Sequence, residues 1–203
     1  MRPILRLARR FVRWEIDIWA SLGRAVTRRP DTAGGTPLRY AGAMSAVLWA
    51  FVVVSAVEIP AVHLLIPWTP VRLAALALGI WGVLWMLGLL AAHHMYPHVL
   101  TADRLRVRYL RRTELDLPLA QIRTARPVLR AHDGVRPAQL VDDGTLVVPV
   151  GDSTNVRIDL IEPRAFATPT GEHTTRVVAF WADDPRAAVA LIEAAVGEHT
   201  SSR

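Results

Sequence analysis

Along this chain the apolar positions fall into three regimes, and the middle one is the plainest. From Ala41 to Ile66 a run of 26 residues carries one formal charge, Glu58, and from Leu73 to Ala92 a run of 20 carries none. A helix rises 1.5 Å per residue, so each run reaches about 30 Å or more, enough to cross a hydrocarbon core. Pro67-Trp68-Thr69-Pro70 joins them, with two prolines to stop and restart a helix and a tryptophan suited to an interface. So short a link predicts adjacent antiparallel helices: a transmembrane hairpin over 41–92 whose two ends lie on one side.

Ahead of the hairpin the period is helical. At 100° per residue Ile4, Leu7, Phe11, Ile18 and Leu22 share one face, flanked by Val12, Trp14 and Trp19. Arg6, Arg9, Arg10, Arg13 and Arg24 take the opposite face, and Glu15 is an exception on the apolar side. An apolar and aromatic stripe opposite arginines describes an amphipathic helix lying in the interface of an anionic leaflet, over 1–29. The same stripe would also serve to pack on protein. Residues 30–40, with Gly34, Gly35 and Pro37, read as a linker.

After Pro97 the period drops to two. Leu105, Val107 and Tyr109 alternate with Arg104, Arg106 and Arg108, which predicts a half-buried strand. Further strands are expected at 114–117, 122–130, 145–150, 156–161 and 176–181, with turns at Asp142-Asp143-Gly144 and Gly151-Asp152-Ser153. Residues 131–144 fit either a strand or a loop. Asp183-Asp184-Pro185 supplies an N-cap and a proline at the first helical position, and Ala188, Leu191, Ile192 and Ala195 give the last helix an apolar stripe. Residues 93–203 are thus a globular domain of short strands and one closing helix.

Charge changes the picture by its position. All 24 basic residues are arginine. Residues 1–39 hold nine of them against Glu15, Asp17 and Asp31, whereas residues 93–203 balance fourteen arginines with fourteen acids. A nucleic-acid module would itself be basic, so the high pI does not argue for one. Arg24, Arg28, Arg29 and Arg39 precede the hairpin, Arg104, Arg106, Arg108, Arg111 and Arg112 follow it, and the loop end has only Arg72. The positive-inside rule then predicts a multi-pass protein of the cell membrane with both termini cytoplasmic. Arg9-Arg10-Phe11-Val12 is no twin-arginine export signal, because Glu15 and Asp17 stand where its apolar core would begin. The absence of cysteine excludes disulfides, thiolate metal sites and a cysteine nucleophile.

The segment PHVLTADRLRVRYLRRTELDLPLAQIRTAR (97–126) resembles the opening of bacterial pleckstrin-homology (PH) domain membrane proteins. Its matching elements are the turn Asp103-Arg104-Leu105 and the strand end Leu117-Pro118-Leu119-Ala120-Gln121-Ile122. TNVRIDLIEP (154–163) and FWADDPRAAVALI (180–192) are similar to uncharacterised actinobacterial members, and two preceding transmembrane helices are usual there. The resemblance covers 41–203 loosely. It implies a PH-like barrel with a C-terminal helix, and it implies no assigned ligand, since the fold carries many functions.

Three groups of side chains are candidate chemistry. Arg104, Arg106, Arg108, Arg111 and Arg112 could form a phosphate-contacting patch beside the bilayer, or a solvated strand face paired with Glu114 and Asp116. Glu58, an intramembrane acid, is expected level with Gly79 and Gly82, hydrogen-bonded within the hairpin or across a dimer, with His63 nearer the loop. His93, His94 and His98 are read as juxtamembrane linker, not metal ligands, because Pro97 breaks the helix that would align His94 with His98. No Gly-x-Ser-x-Gly, HExxH or P-loop occurs. The expected function is therefore non-enzymatic and without cofactor: a membrane-anchored adaptor whose domain binds a protein partner or the anionic leaflet. The alternative is an accessory subunit of a membrane transport or envelope-assembly complex.

Overall fold

The computed structural model describes residues 2–27, 30–32, 34–169 and 171–201, with side chains from Val12 onward. It divides into two compact units, one of three helices and one formed by residues 30–43 together with 96–203.

The helical unit contains α1 (Arg2–Val26), α2 (Gly42–Leu65) and α3 (Thr69–Met95). The latter two are long and apolar enough to cross a membrane. Pro67 lies in the link and Pro70 in the first turn of α3, where its missing N–H costs nothing. The first helix packs on α3: Ile18 is buried against Gly88, and the Trp14 and Trp85 rings meet edge-on with centroids 4.8 Å apart. Ser21, fully buried, returns its hydroxyl to the Asp17 carbonyl at 2.6 Å.

A glycine is required at 88. A Cβ there would collide with Ile18 Cγ2 and stand 3.1 Å from the Ile18 carbonyl oxygen. Ile18 is β-branched, so that methyl cannot swing away. Gly88→Leu is therefore expected to loosen α1 from α3, at a cost of about 1–3 kcal/mol for overpacking. The chain has no cysteine, so Trp14→Cys with Trp85→Cys and a short bis-maleimide reads the contact directly. Cross-linking should fall sharply when Gly88→Leu is added, and an unchanged yield would refute the packing.

The second unit is built from two sheets and a helix. Strands β1 (Thr36–Leu38), β2 (His98–Leu100), β3 (Arg104–Tyr109) and β4 (Thr113–Pro118) form an antiparallel sheet in that order. Strands β5 (Ile122–Ala131), β6 (Gln139–Leu140), β7 (Thr145–Val148), β8 (Ser153–Thr168) and β9 (Gly171–Phe180) form the other, in the order β5-β8-β9-β7-β6. Inward residues of both sheets make one core: Leu105, Val107, Leu115 and Leu117 from the first, Leu146, Val148, Ile158, Val178 and Phe180 from the second. Helix α4 (Pro185–Ser201) seals it with Ala188, Val189 and Ile192. Asp184 caps α4 by accepting the Ala187 N–H at 3.0 Å, while its neighbour Asp183 accepts the N–H of Gly42, where α2 begins, at 2.8 Å. Two adjacent acids thus start two helices.

Several expectations change. Residues 30–40 are not a linker: Thr36–Leu38 pair with β2, and Leu38 and Tyr40 are buried. The flexible look of Gly34, Gly35 and Pro37 concealed a three-residue strand. Helix α3 runs to Met95, so the sheet unit resumes at Tyr96, not at 93. The turn at Gly151-Asp152-Ser153 holds a single antiparallel bridge, Val150 to Ser153, and beyond it β9 inserts between β7 and β8 and pairs with β7 in parallel. Its Val177–Phe180 run, flanked by strands on both sides, is apolar because it is central. Strands β8 and β9 also extend through 162–175, where Pro163 and polar residues hide the period. In the closing helix Val189 is buried in place of Leu191, which is 43% exposed. Residues 131–144 resolve into turns and the two-residue β6. The strands lie in two sheets, and no closed barrel is formed among the described residues.

Candidate functional site

On β3 the arginines meet acids, as alternation across an antiparallel pair allows. Register sets Arg106 opposite Asp116 and Arg108 opposite Glu114. Arg104 bonds Asp103 and Asp116, at 2.8 and 3.1 Å. Arg106 lies 3.7 Å from Glu114. Arg108 donates to Glu114 at 2.8 Å and to the Asp31 carbonyl at 2.8 Å, with its side chain only 8% exposed. Hydrogen bonds from Arg104 and Thr101 hold the Asp103 carboxyl below the usual carboxylate range. The patch is therefore largely neutralised, and Arg108 is structural. Arg111 and Arg112 stand exposed in the β3–β4 turn.

Behind Arg108 lies the best-defined cluster of the unit. His98 is buried, with Nε2 donating to the Trp181 carbonyl at 2.9 Å and Nδ1 accepting the Arg108 N–H at 2.9 Å. These two bonds fix its tautomer. The ring stacks on Tyr40 at 4.7 Å and meets Phe180 edge-on at 4.9 Å. Tyr40, also fully buried, accepts the N–H of Leu110 at 2.9 Å; Leu110 turns the chain at φ 53°. Burial pushes the Tyr40 hydroxyl well above its ordinary range and pushes His98 down to about 4, the latter only partly offset by the Trp181 carbonyl. This is a core clasp between residues 40, 98 and 180. His98 is neither linker nor ligand, and His93 and His94 each bond a carbonyl of their own helix, Leu89 and Leu90, at 2.9 Å.

On α1, Arg13 is exposed, while the side chains of Arg6, Arg9 and Arg10 lie outside the described residues, as do Arg28 and Arg29 altogether. Beside the face that packs on α3, a second apolar stripe of Val12, Ile16, Trp19 and Val26 is exposed. At 100° per residue these four span about 80°, next to the arginine sector. The predicted stripe is thus used on α3, a helix of the hairpin, and the exposed stripe is a different one. Glu15, the exception in the pattern, accepts the Trp19 indole N–H at 2.9 Å.

Glu58 lies near the level of Gly79, as expected, but on an outward face of α2. Ile59, one residue on, fills the space over Gly79, whose added Cβ would stand 2.8 Å from Ile59 Cγ1. Glu58 itself points away, exposed, so it is not hydrogen-bonded within the hairpin. His63 is half-buried and its Nδ1 has no partner among the described residues.

Sequence reasoning missed one arrangement. Arg123, Arg126 and Arg176 line a groove of about 420 Å³ on the five-stranded sheet with Thr124, Asp159, Leu160 and Val177. Arg123 and Arg126 lie inside a strand that was legible, but Arg176 comes from fifty residues later. A second groove, of about 630 Å³, is lined by Arg130, His132, Asp142 and Asp143. In it Arg130 pairs with Asp143, and His132 bonds the Thr154 hydroxyl at 2.9 Å.

No protein-family model matches this chain, and no match is found among curated proteins or solved structures.

Proposed function

We propose that this chain is a non-enzymatic adaptor anchored in the cell membrane by its helical hairpin, with both termini cytoplasmic and a PH-like domain that binds a protein partner or the anionic leaflet. The observation that carries this reading is α1. It offers one apolar stripe to α3, leaves a second exposed, and bears arginines beside it, which suits a helix at a membrane surface. Two helices of membrane-crossing length support the anchor, and the distribution of arginines supports the orientation. Two sheets sealed by a C-terminal helix support kinship with PH-like domains, a likeness of fold that names no ligand.

Topology is the first test. In the cysteine-free chain, Trp68→Cys should react with a membrane-impermeant maleimide on intact cells, and Ser201→Cys only after lysis. The reverse pattern would overturn the orientation. The peptide 1–29 should bind vesicles only when they contain anionic lipid, and should be released by salt. Binding to neutral vesicles alone would remove the electrostatic part of the reading.

One observation favours the accessory-subunit alternative. Glu58 is exposed on a helix of membrane-crossing length, with no partner among the described residues. An acid in hydrocarbon calls for a polar neighbour, and another subunit could supply it. On this reading Glu58→Leu abolishes copurification of membrane partners while the thermal unfolding of the sheet unit stays unchanged.

A further inference from the structure

We infer that the groove on the five-stranded sheet is a binding site for a phosphate-bearing dianion, held by Arg123 and Arg176. The inference does not depend on the adaptor reading. Two irregularities in the sheet meet there. Between Ile122 and Thr124 the β5–β8 register slips, and Arg123 is the residue in the slip. Between Asp159 and Arg164 the β8–β9 register slips as well, with residues 160–163 facing the single residue Arg176. A bulge re-aims side chains and breaks the even pleat, so these two arginines are freed from ordinary alternation and turned to one space. Arg123 also ties the two bulges together, donating to the Ile161 carbonyl at 3.2 Å.

Charge selects the ligand. Three guanidinium groups line the groove against one carboxylate, an excess of two positive charges. That carboxylate is already engaged: Asp159 accepts from Arg126, from Arg157 at 3.0 Å and from Thr124 at 3.3 Å. Arg126 is thereby spoken for. Arg176 is exposed and has no ion-pair partner among the described residues, and Arg123 bonds only a carbonyl. Two uncommitted guanidinium forks match a phosphate monoester, which carries close to two negative charges at neutral pH, and each fork can bond two of its oxygens. A single carboxylate would leave one charge unmatched. The contrast with β3 is sharp, because there every strand arginine reaches an acid: Arg104 and Arg108 are hydrogen-bonded to one, and Arg106 lies 3.7 Å from Glu114.

The ester could be soluble or a lipid headgroup, and one titration separates the two. The full-length protein in phosphatidylcholine nanodiscs is titrated with glycerol phosphate by calorimetry, with acetate as the control. Saturable one-to-one binding is expected, weakened by salt, with acetate far weaker. Arg176→Gln and Arg123→Gln should each weaken it about tenfold or more, the scale of a lost charge-assisted bond. Arg186→Gln, exposed on α4, should bind as the parent does. Repeating the titration in nanodiscs containing phosphatidic acid identifies the source: competition assigns a lipid headgroup, and an unchanged affinity assigns a soluble ester. The inference is overturned if glycerol phosphate shows no saturable binding, if acetate binds equally well, or if both variants bind like the parent with unaltered thermal unfolding.

Discussion

Tyr40→Ala should lower the stability of the sheet unit by about 3–5 kcal/mol, the range for removing a large buried ring. Tyr40 is fully buried, stacks on His98 at 4.7 Å and lies 6.3 Å from the Tyr109 ring. Its hydroxyl also accepts the N–H of Leu110, which the left-handed turn leaves without a strand partner. The variant loses packing, opens a cavity and strands a backbone donor. In thermal unfolding of the purified full-length protein the transition of the sheet unit should fall by roughly 10 °C, taking a few degrees per kcal/mol. Tyr40→Phe keeps the ring and loses only the hydrogen bond, so its cost should be about 1–2 kcal/mol. A Tyr40→Ala protein that melts with the parent would mean that residues 30–43 are not part of this core. A fragment that starts at Tyr96 lacks β1 and Tyr40 and should not fold stably, whereas 30–43 joined directly to 96–203 restores both.

The second large effect is with pH. His98 titrates near its ordinary 6.5 when unfolded and at about 4 when folded. Burial is the main cause, and the Arg108 charge adds to it. Between these values the unfolded chain binds the proton and the folded one does not, so stability is intact above pH 6.5 and falls as pH drops toward 4. At 1.36 kcal/mol per unit the loss is about 3 kcal/mol, complete near pH 4. The geometry agrees: a proton on Nδ1 would face the Arg108 N–H that this atom now accepts. The depressed carboxyls of Asp103, Asp143 and Asp159 act in a lower window, below their ordinary 3.8. Denaturant unfolding at pH 7, 5.5 and 4.5 should show the decline. His98→Gln should be less stable at pH 7 and nearly flat across this range. An equally steep profile in His98→Gln would assign the effect to other groups.

The hairpin, most of the strands and the start of α4 were legible because each is a local pattern. Long uncharged runs need no partner to be recognised, two-residue alternation announces Leu105, Val107 and Tyr109, and Asp184-Pro185 is a cap wherever it occurs. Less of the candidate site was legible. The β3 arginines and the acids of β4 were both visible, but which won depended on register, and register set Arg106 and Arg108 against Asp116 and Glu114. Glu58 was at the expected level, but which side it faces, and so whether its partner lies inside the hairpin, was not legible, since one residue along a helix turns the side chain by 100°.

Sequence alone determined where the chain is apolar enough to cross a membrane, where its arginines gather, and where the helices and most of the strands lie. Those features are set by composition and by periods of two and 3.6 residues. Tertiary structure alone decided that Tyr40 belongs to a core completed after the hairpin, that β9 lies between β7 and β8, and that Arg176 joins Arg123 beside two bulges. The first and last bring together residues more than fifty positions apart, and β7 and β9 pair across 32. Such contacts follow from how buried faces fit one another, and a linear pattern carries no record of that fit.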